Sequence, residues 1–285
     1  MNTEQTMTGK VVLITGGTSG IGEITATELA RKGAEVVIVG RNAKKLDMVV
    51  YQVKSETGNE KVSGLLADLS VLAQVRKLAD DFKARHNRLD VLVNNAGAVL
   101  MKHEVSADGY EMTFALNHLN YFLLTHCLLD VLKASAPARI VNVSSMAHLG
   151  ARLNFDDLQN EKKYSGWAAY SQSKLANVYF TYELARRLDG TGVTVNVLHP
   201  GFVATNFGRS NGGLLSAVFK LFQIGAITPK QGAETSIYLA SSPEVEGVTG
   251  KYFVKKMAAR SSDVSYDESA ARKLWEISEK LTQVS

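Results

Sequence analysis

Tyr170 and Lys174 lie four residues apart in Tyr170-Ser171-Gln172-Ser173-Lys174, inside a stretch that reads as a helix from Trp167 to Leu188. On a helix, positions i and i+4 stack on one face, so the phenol and the ammonium stand side by side. A free phenol ionises near pH ~10, too high for a base at neutral pH. A cation beside it favours the phenolate and lowers that value, which gives a proton donor and acceptor nearer to working pH. Helices with no chemistry also carry such pairs, as a half-buried tyrosine with a lysine stem along it. The elements around the pair have to decide between the two.

Those elements alternate. Short β-branched runs, Val11–Thr15, Val36–Val39, Val62–Leu66, Val91–Asn94, Ile140–Val143, Thr194–Leu198 and Tyr252–Val254, read as strands. Several are almost wholly apolar, as strands covered on both faces are. Helices are predicted over Ile21–Arg31, Ala43–Glu56, Val71–Arg85, Gly109–Leu132, Trp167–Leu188 and Lys230–Ala240, with a C-terminal helix over Glu268–Leu281. Alternation of this kind means right-handed βαβ units. The expectation is an α/β Rossmann fold: one doubly wound domain across residues 1–285, with a parallel seven-stranded sheet. Two segments break the alternation. Met146–Gly166 is an insertion before the Tyr170 helix, and residues 206–228 are Gly-rich and then strongly apolar. Long irregular segments at strand ends carry binding function in such folds, so the second is expected to contact substrate.

The first strand runs into Gly16-Gly17-Thr18-Ser19-Gly20-Ile21-Gly22, and a helix follows. A glycine-rich strand-to-helix turn lets backbone amides approach a pyrophosphate, helped by the helix dipole. The second strand ends in Val39-Gly40-Arg41-Asn42, with no carboxylate where NAD enzymes place one for the ribose hydroxyls. A guanidinium there suits a 2′-phosphate, so NADP(H) is the expected cofactor and Arg41 and Asn42 its expected contacts. After the third strand, Asp68 in Ala67-Asp68-Leu69 either accepts from the adenine amino group or caps the helix beginning near Ser70, and Leu69 is an expected cofactor contact beside it. Asn94-Asn95-Ala96-Gly97 ends the fourth strand with small residues that permit close backbone approach.

Bulk properties exclude other classes. The chain has 285 residues, 45% of them hydrophobic, and its 32 basic and 28 acidic residues leave a net charge of only +4. No Lys/Arg run has the density of a nucleic-acid arm. No run of about 18 apolar residues predicts a membrane span, and the polar N-terminus carries no secretory signal. The single cysteine, Cys127, forms no internal disulfide, and the six histidines show no metal-ligand spacing.

Together these motifs resemble the short-chain dehydrogenase/reductase family. The carrying residues are Thr15-Gly16-x-x-x-Gly20-x-Gly22, Asn94-Asn95-Ala96-Gly97, Asn117, Val143-Ser144-Ser145, Tyr170-x-x-x-Lys174 and Pro200-Gly201, in the family's order. The resemblance implies a catalytic tetrad of Asn117, Ser145, Tyr170 and Lys174. Tyr170 would be the general acid/base, and Lys174 would lower its pKa and hold the nicotinamide ribose. Ser145 would bond the substrate oxygen, with Ser144 as the neighbouring alternative. Asn117 would fix a water joining Lys174 to solvent. Cofactor contacts implied along the chain are Gly16, Thr18, Ser19, Gly20, Ile21, Gly22, Asn95, Ala96, Gly97, Tyr170, Lys174, Pro200 and Gly201. Beyond them, the Val203 backbone and the Thr205 hydroxyl would hold the carboxamide. His199 reads as a structural loop residue.

Ser145 and Tyr170 stand 25 residues apart, more than is usual in the family. That interval, with Gly40-Arg41 and Ser171-Gln172-Ser173-Lys174-Leu175-Ala176-Asn177, resembles the retinol dehydrogenase, WW-domain oxidoreductase and protochlorophyllide reductase branch. The branch implies NADP(H) and bulky lipophilic carbonyl or alcohol substrates. The chain starts almost at its first strand, so a soluble cytoplasmic enzyme without an anchor is expected. The apolar helices 109–132 and 167–188 are expected to pair as a homodimer, with tetramer and monomer left open. A non-catalytic NADP(H)-binding regulator is the competing class; an extended epimerase is disfavoured by the glycine spacing.

Overall fold

A computed structural model describes residues 6–201 and 227–284 of the chain. Eight strands form one sheet in the order β3-β2-β1-β4-β5-β6-β7-β8. They are β1 (Val11–Thr15), β2 (Glu35–Gly40), β3 (Val62–Leu66), β4 (Val91–Asn94), β5 (Ala138–Val143), β6 (Val193–His199), β7 (Tyr252–Val254) and β8 (Met257–Ala259). All neighbours pair in parallel except β7 and β8.

The eighth strand corrects the expected seven. Lys255 and Lys256 both take positive φ, 49° and 66°, between the paired residues Val254 and Met257. A two-residue hairpin needs that conformation, but the usual signal for it is Asn-Gly or Asp-Gly. Lys-Lys followed by Met-Ala-Ala carries no such signal.

Helices α1 (Gly20–Arg31), α2 (Ala43–Thr57) and α3 (Leu72–Arg85) follow the first three strands. Chain 112–134 is a helix with an insertion: α4 (Met112–Phe114), a π-helical turn over Ala115–Leu119, and α5 (Asn120–Ala134). The expected start at Gly109 is wrong by three residues. The Glu111 carboxylate accepts from the Thr113 and Phe114 backbone N–H groups and sets the helix start there. Then come α6 (Gly166–Arg187), α7 (Pro229–Ser241) and α8 (Glu268–Thr282). Among the described residues no helix is long and apolar enough to cross a membrane.

Each strand divides its side chains between two cores, as the period of two requires. Leu13, Val37 and Val39 face α3, α5 and α6; Val12, Ile14, Val36 and Ile38 face α1 and α2. The C-terminal helix α8 closes part of the apolar face that α5 and α6 were expected to offer to a second copy. Trp275 meets Phe122 edge-on with ring centroids 4.8 Å apart, and the Arg187 guanidinium lies 4.2 Å over the indole.

Helix α6 is buried along almost all its length, polar residues included. A chain of side-chain hydrogen bonds absorbs them. Asn94 donates to Thr125 at 3.0 Å and to Asn142 Oδ1 at 2.9 Å; Asn142 donates to Thr181 Oγ1 at 2.9 Å; Thr181 donates to the Asn177 carbonyl at 2.8 Å. Asn177 then donates to the Asn117 carbonyl at 2.9 Å. The ends of β4 and β5, the tyrosine helix and the π-turn are thereby set against one another without buried donors left over along that path. Asn177→Leu keeps the volume but removes the hydrogen bond to the Asn117 carbonyl. It is expected to destabilise the fold by about 1–3 kcal/mol in urea unfolding; a midpoint equal to that of the parent protein would show that the chain is not a load on stability.

Candidate active site

The strand order reverses between β1 and β4, and the loops leaving β1 to β6 all emerge at the carboxyl edge of the sheet. Open α/β sheets bind ligands in the crevice at that edge. Every motif residue singled out in the sequence, as far as residue 201, lies at the carboxyl end of one of these strands, on the loop that follows it or on the helices beside them.

The first turn fits a pyrophosphate. Ser19 is the N-cap of α1, yet its side chain makes no capping bond, so the amides of the first helical turn have no side-chain partner there. Gly22 is packed against the turn itself. A Cβ on it would lie 2.4 Å from the Gly16 carbonyl oxygen and 2.5 Å from Asn95 Nδ2. Asn95 explains why: its amide donates to the Thr15 and Gly16 carbonyls at 2.9 and 3.2 Å, while its own N–H donates to Thr15 Oγ1 at 2.9 Å. The Asn95 side chain thus ties the loop after β4 to the glycine turn, with Ala96 N–H on the same Thr15 hydroxyl at 3.1 Å. Thr18 sits against Gly40 at the end of β2.

Arg41 is exposed just past that strand, beside exposed Lys44 and Lys45. Asn42 is the N-cap of α2, its Oδ1 accepting from the Lys45 N–H at 3.0 Å. Asp68 does not cap α3. Its Oδ1 accepts from the Ser70 N–H and hydroxyl at 3.0 and 2.7 Å, closing a local turn, and Asp108 accepts from the first N–H of α3, at Leu72. Leu69 is buried in the core. Pro200 and Gly201 follow β6, with the Gly201 N–H donating to His199 Nδ1 at 2.9 Å, which gives His199 the loop-holding part expected of it. Val203, Thr205 and the stretch 206–226 lie outside the described residues.

The proposed catalytic side chains converge. Ser145 follows β5, half-buried and extended (φ −157°), and its hydroxyl is hydrogen-bonded to the Tyr170 hydroxyl. Ser144, the alternative, is turned away: its hydroxyl donates to the Lys174 carbonyl at 2.7 Å. Lys174 Nζ donates to the Val143 carbonyl at 3.0 Å and lies 5.7 Å from the Tyr170 ring centroid. Asn117 sits in the π-turn, fully buried. Its amide donates to the Ala98 carbonyl and to Ser173 Oγ, both at 2.9 Å, and its Oδ1 accepts from the Ala98 N–H at 2.8 Å. Gly97 fits between the two polar ends. A Cβ there would lie 3.1 Å from Asn117 Oδ1 and 3.3 Å from Lys174 Nζ, so only glycine leaves that gap open.

Protonation departs from the sequence expectation. The lysine was expected to lower the tyrosine's pKa. Instead burial dominates and pushes Tyr170 up to about 12, with the Ser145 hydrogen bond acting in the opposite direction. Burial also pushes Lys174 down to about 7. No described carboxylate pairs with the lysine, so nothing holds its charge against the low-dielectric surroundings.

Two participants escaped the sequence reading. Tyr121 is fully buried, with its ring centroid 5.8 Å from Lys174 Nζ and its hydroxyl 3.5 Å from the same Val143 carbonyl. The lysine head is thus flanked by two tyrosine rings. Ser173, adjacent to the lysine, receives the Asn117 amide and donates to the Tyr170 carbonyl at 2.7 Å. Tyr121 is four residues beyond Asn117, a spacing that would have pointed to it had the helix been recognised as continuous through the π-turn. Among the described residues no group of His, Cys, Asp or Glu is arranged to hold a metal ion.

A sequence model described as short chain dehydrogenase matches residues 10–212. Human (Homo sapiens) retinol dehydrogenase 14 is 48% identical over 289 aligned residues, covering 96% of this chain and 86% of the relative. Among solved structures, an uncharacterized protein from Mycobacterium paratuberculosis is similar with a TM-score of 0.78 at 33% identity, covering 97% of this chain and 94% of that one. The Pseudomonas aeruginosa RhlG/NADP active-site complex is similar with a TM-score of 0.71 at 30% identity, covering 89% and 97%. A match that runs from the glycine turn through the Tyr170 helix, with relatives this similar over nearly the whole chain, makes the protein a member of the short-chain dehydrogenase/reductase family, on the retinol dehydrogenase-like branch.

Proposed function

We propose that the protein is an NADP(H)-dependent oxidoreductase that interconverts a lipophilic aldehyde or ketone and its alcohol, with Tyr170 as the acid/base. One observation carries the reading: the Ser145 and Tyr170 hydroxyls meet at the carboxyl edge of the sheet, in front of a buried lysine. The retinol dehydrogenase relatives support the alcohol/carbonyl chemistry, and the NADP in the RhlG complex supports the cofactor.

The residues present fit such a dinucleotide. The turn Gly16–Gly22, with Thr18, Ser19, Gly20 and Ile21, would take the pyrophosphate on free helix amides. Arg41, with Lys44 and Lys45 beside it, would take the 2′-phosphate. Asp68 retains a carboxylate oxygen for the adenine amino group, and Leu69 lies beside it. Asn95, Ala96 and Gly97 shape the wall near the nicotinamide ribose, and Lys174 would bond that ribose. Pro200 and Gly201 would border the nicotinamide, with Val203 and Thr205 beyond them. Bound there, the nicotinamide supplies or accepts the hydride.

The protein's own part is to manage charge on the carbonyl oxygen. With a carbonyl oxygen placed between them, Ser145 and Tyr170 would each turn a hydroxyl hydrogen onto it in place of their mutual bond, which stabilises negative charge growing there. Burial keeps Tyr170 protonated at working pH, the state needed to give up a proton during reduction. Lys174, near its own midpoint at neutral pH, is suited to pass a proton onward. Asn117 Oδ1 and Lys174 Nζ border the same gap at Gly97, which supports the proposed water between them.

Three outcomes test this. Tyr170→Phe removes the hydroxyl and keeps the ring, and is expected to lower aldehyde-dependent NADPH oxidation by roughly 10²–10⁴ while NADPH binding persists; retained turnover would refute the assignment. Arg41→Asp removes a charge-assisted contact of ~1.5–3 kcal/mol, so the NADPH/NADH preference in kcat/KM should fall roughly ten- to hundredfold, and an unmoved ratio would refute the 2′-phosphate contact. Lys174 titrates at about 7 folded against an ordinary 10.5. The unfolded state therefore holds more protons between those values, and wild-type stability rises with pH across that window. Compared in urea unfolding, the advantage of Lys174→Met over wild type should shrink from pH 7 to pH 10; a constant difference would contradict a buried amine with a lowered pKa.

A further inference from the structure

His148 lies three residues after Ser145, in the short 3-10 turn Met146–Gly150, and is fully buried. Its Nδ1 stands 2.7 Å from the Ser145 carbonyl oxygen, and its Nε2 stands 3.2 Å from the Ser262 backbone nitrogen. These partners decide the tautomer. A carbonyl oxygen only accepts, so Nδ1 carries the hydrogen; a backbone N–H only donates, so Nε2 presents its lone pair. The ring is the neutral imidazole, and burial agrees by lowering its pKa. The His148 backbone N–H donates to the same Ser145 carbonyl at 3.2 Å, so one residue closes the serine turn twice.

Behind the imidazole the contacts continue. His148 packs against Tyr252 with centroids 4.9 Å apart, and Tyr252 stacks on His199 at 6.1 Å. His199 accepts from the Gly201 N–H. Ser262 belongs to a segment anchored by its own hydroxyls: Ser261 Oγ lies 2.6 Å from the Tyr182 hydroxyl and 2.7 Å from Ser265 Oγ. The turn carrying Ser145 is therefore braced on one side by the segment following β8 and on the other by the loop after β6. Ser145 itself is only half-buried, and among the described residues its hydroxyl has one backbone tie, from the Ala147 N–H at 3.2 Å.

We infer that His148 is a positioning residue for the proposed reaction: by linking the Ser145 carbonyl to the Ser262 amide, it holds the Ser145 hydroxyl in register with that of Tyr170. The inference rests on the carbonyl-reductase reading above. A displacement of about 1 Å at a positioned group is enough to cost on the order of 10²-fold in rate, so the brace has a measurable consequence.

Three variants separate positioning from bulk stability. His148→Phe keeps a ring against Tyr252 and loses both hydrogen bonds. His148→Asn restores a donor at the place of Nδ1. Ser262→Pro deletes the N–H that Nε2 accepts, at a φ of −62° that proline adopts. With the aldehyde that wild type turns over fastest, His148→Phe should lower kcat about 10²-fold with the NADPH Kd within about twofold of wild type. His148→Asn should recover about tenfold of that loss, and Ser262→Pro should lose about tenfold, on the same scale. A His148→Phe kcat equal to wild type, or a loss matched by an equal loss of NADPH binding and not rescued by asparagine, overturns the inference. A crystal structure of His148→Phe gives a readout independent of turnover. Ser145 Oγ displaced from the Tyr170 hydroxyl by about 1 Å or more is expected, and an unmoved Ser145 overturns the inference even if wild type proves inactive. Wild-type inactivity on every aldehyde, by contrast, counts against the functional reading alone.

Discussion

A lysine buried in an α/β core, with no carboxylate partner among the described residues, is the constraint on which the rest of this structure depends. Lys174 is 3% exposed, and its ammonium has one carbonyl and the faces of two tyrosines for company. Such a site cannot hold a full charge cheaply, so the amine drifts toward neutrality and the neighbouring phenol, buried with it, stays protonated. Both shifts follow from the same cause. The chemistry of the pair is set by how dry the site is before it is set by how near the two groups are.

That dryness has to be built. Helix α6 carries the pair into the middle of the molecule, covered by the sheet, by the π-turn and by α8. Its polar side chains then need partners inside the protein, which the ladder from Asn94 through Asn142, Thr181 and Asn177 to Asn117 provides. The ladder and the proposed catalytic set share Asn117, so the features that make α6 tolerable as a buried helix also fix where those four side chains sit. The insertion 146–165 has a matching part: its first turn holds Ser145 from behind, through a histidine whose other nitrogen reaches the segment after β8.

Much of this was legible in one dimension. The four strand-end motifs and the two helical ones sit where the alternation of elements put them, because each reflects a local requirement: amides free at a helix start, small residues where backbone must come close, hydroxyls at a strand end. The eighth strand was not legible, since a Lys-Lys hairpin lacks the turn residues that announce one. The start of the 112–134 helix was misplaced because a buried glutamate cap, Glu111, is indistinguishable in sequence from a solvated one. Of the two roles open to Asp68, the helix cap went elsewhere: Asp108 from a distant segment caps α3, and Asp68 closes a turn with Ser70.

By itself, then, the chain's sequence determined which groups are brought to one edge of one sheet, and with that the reaction class, because strand period, helix period and turn chemistry are local properties that residue types and spacing encode directly. The tertiary structure decided what those groups are like once there. The direction of the Tyr170 shift, which of Ser144 and Ser145 faces Tyr170, the second tyrosine beside Lys174 and the imidazole behind the serine all depend on burial and on partners far away along the chain. Solvent exclusion and long-range contacts act between segments, and no window of sequence contains them.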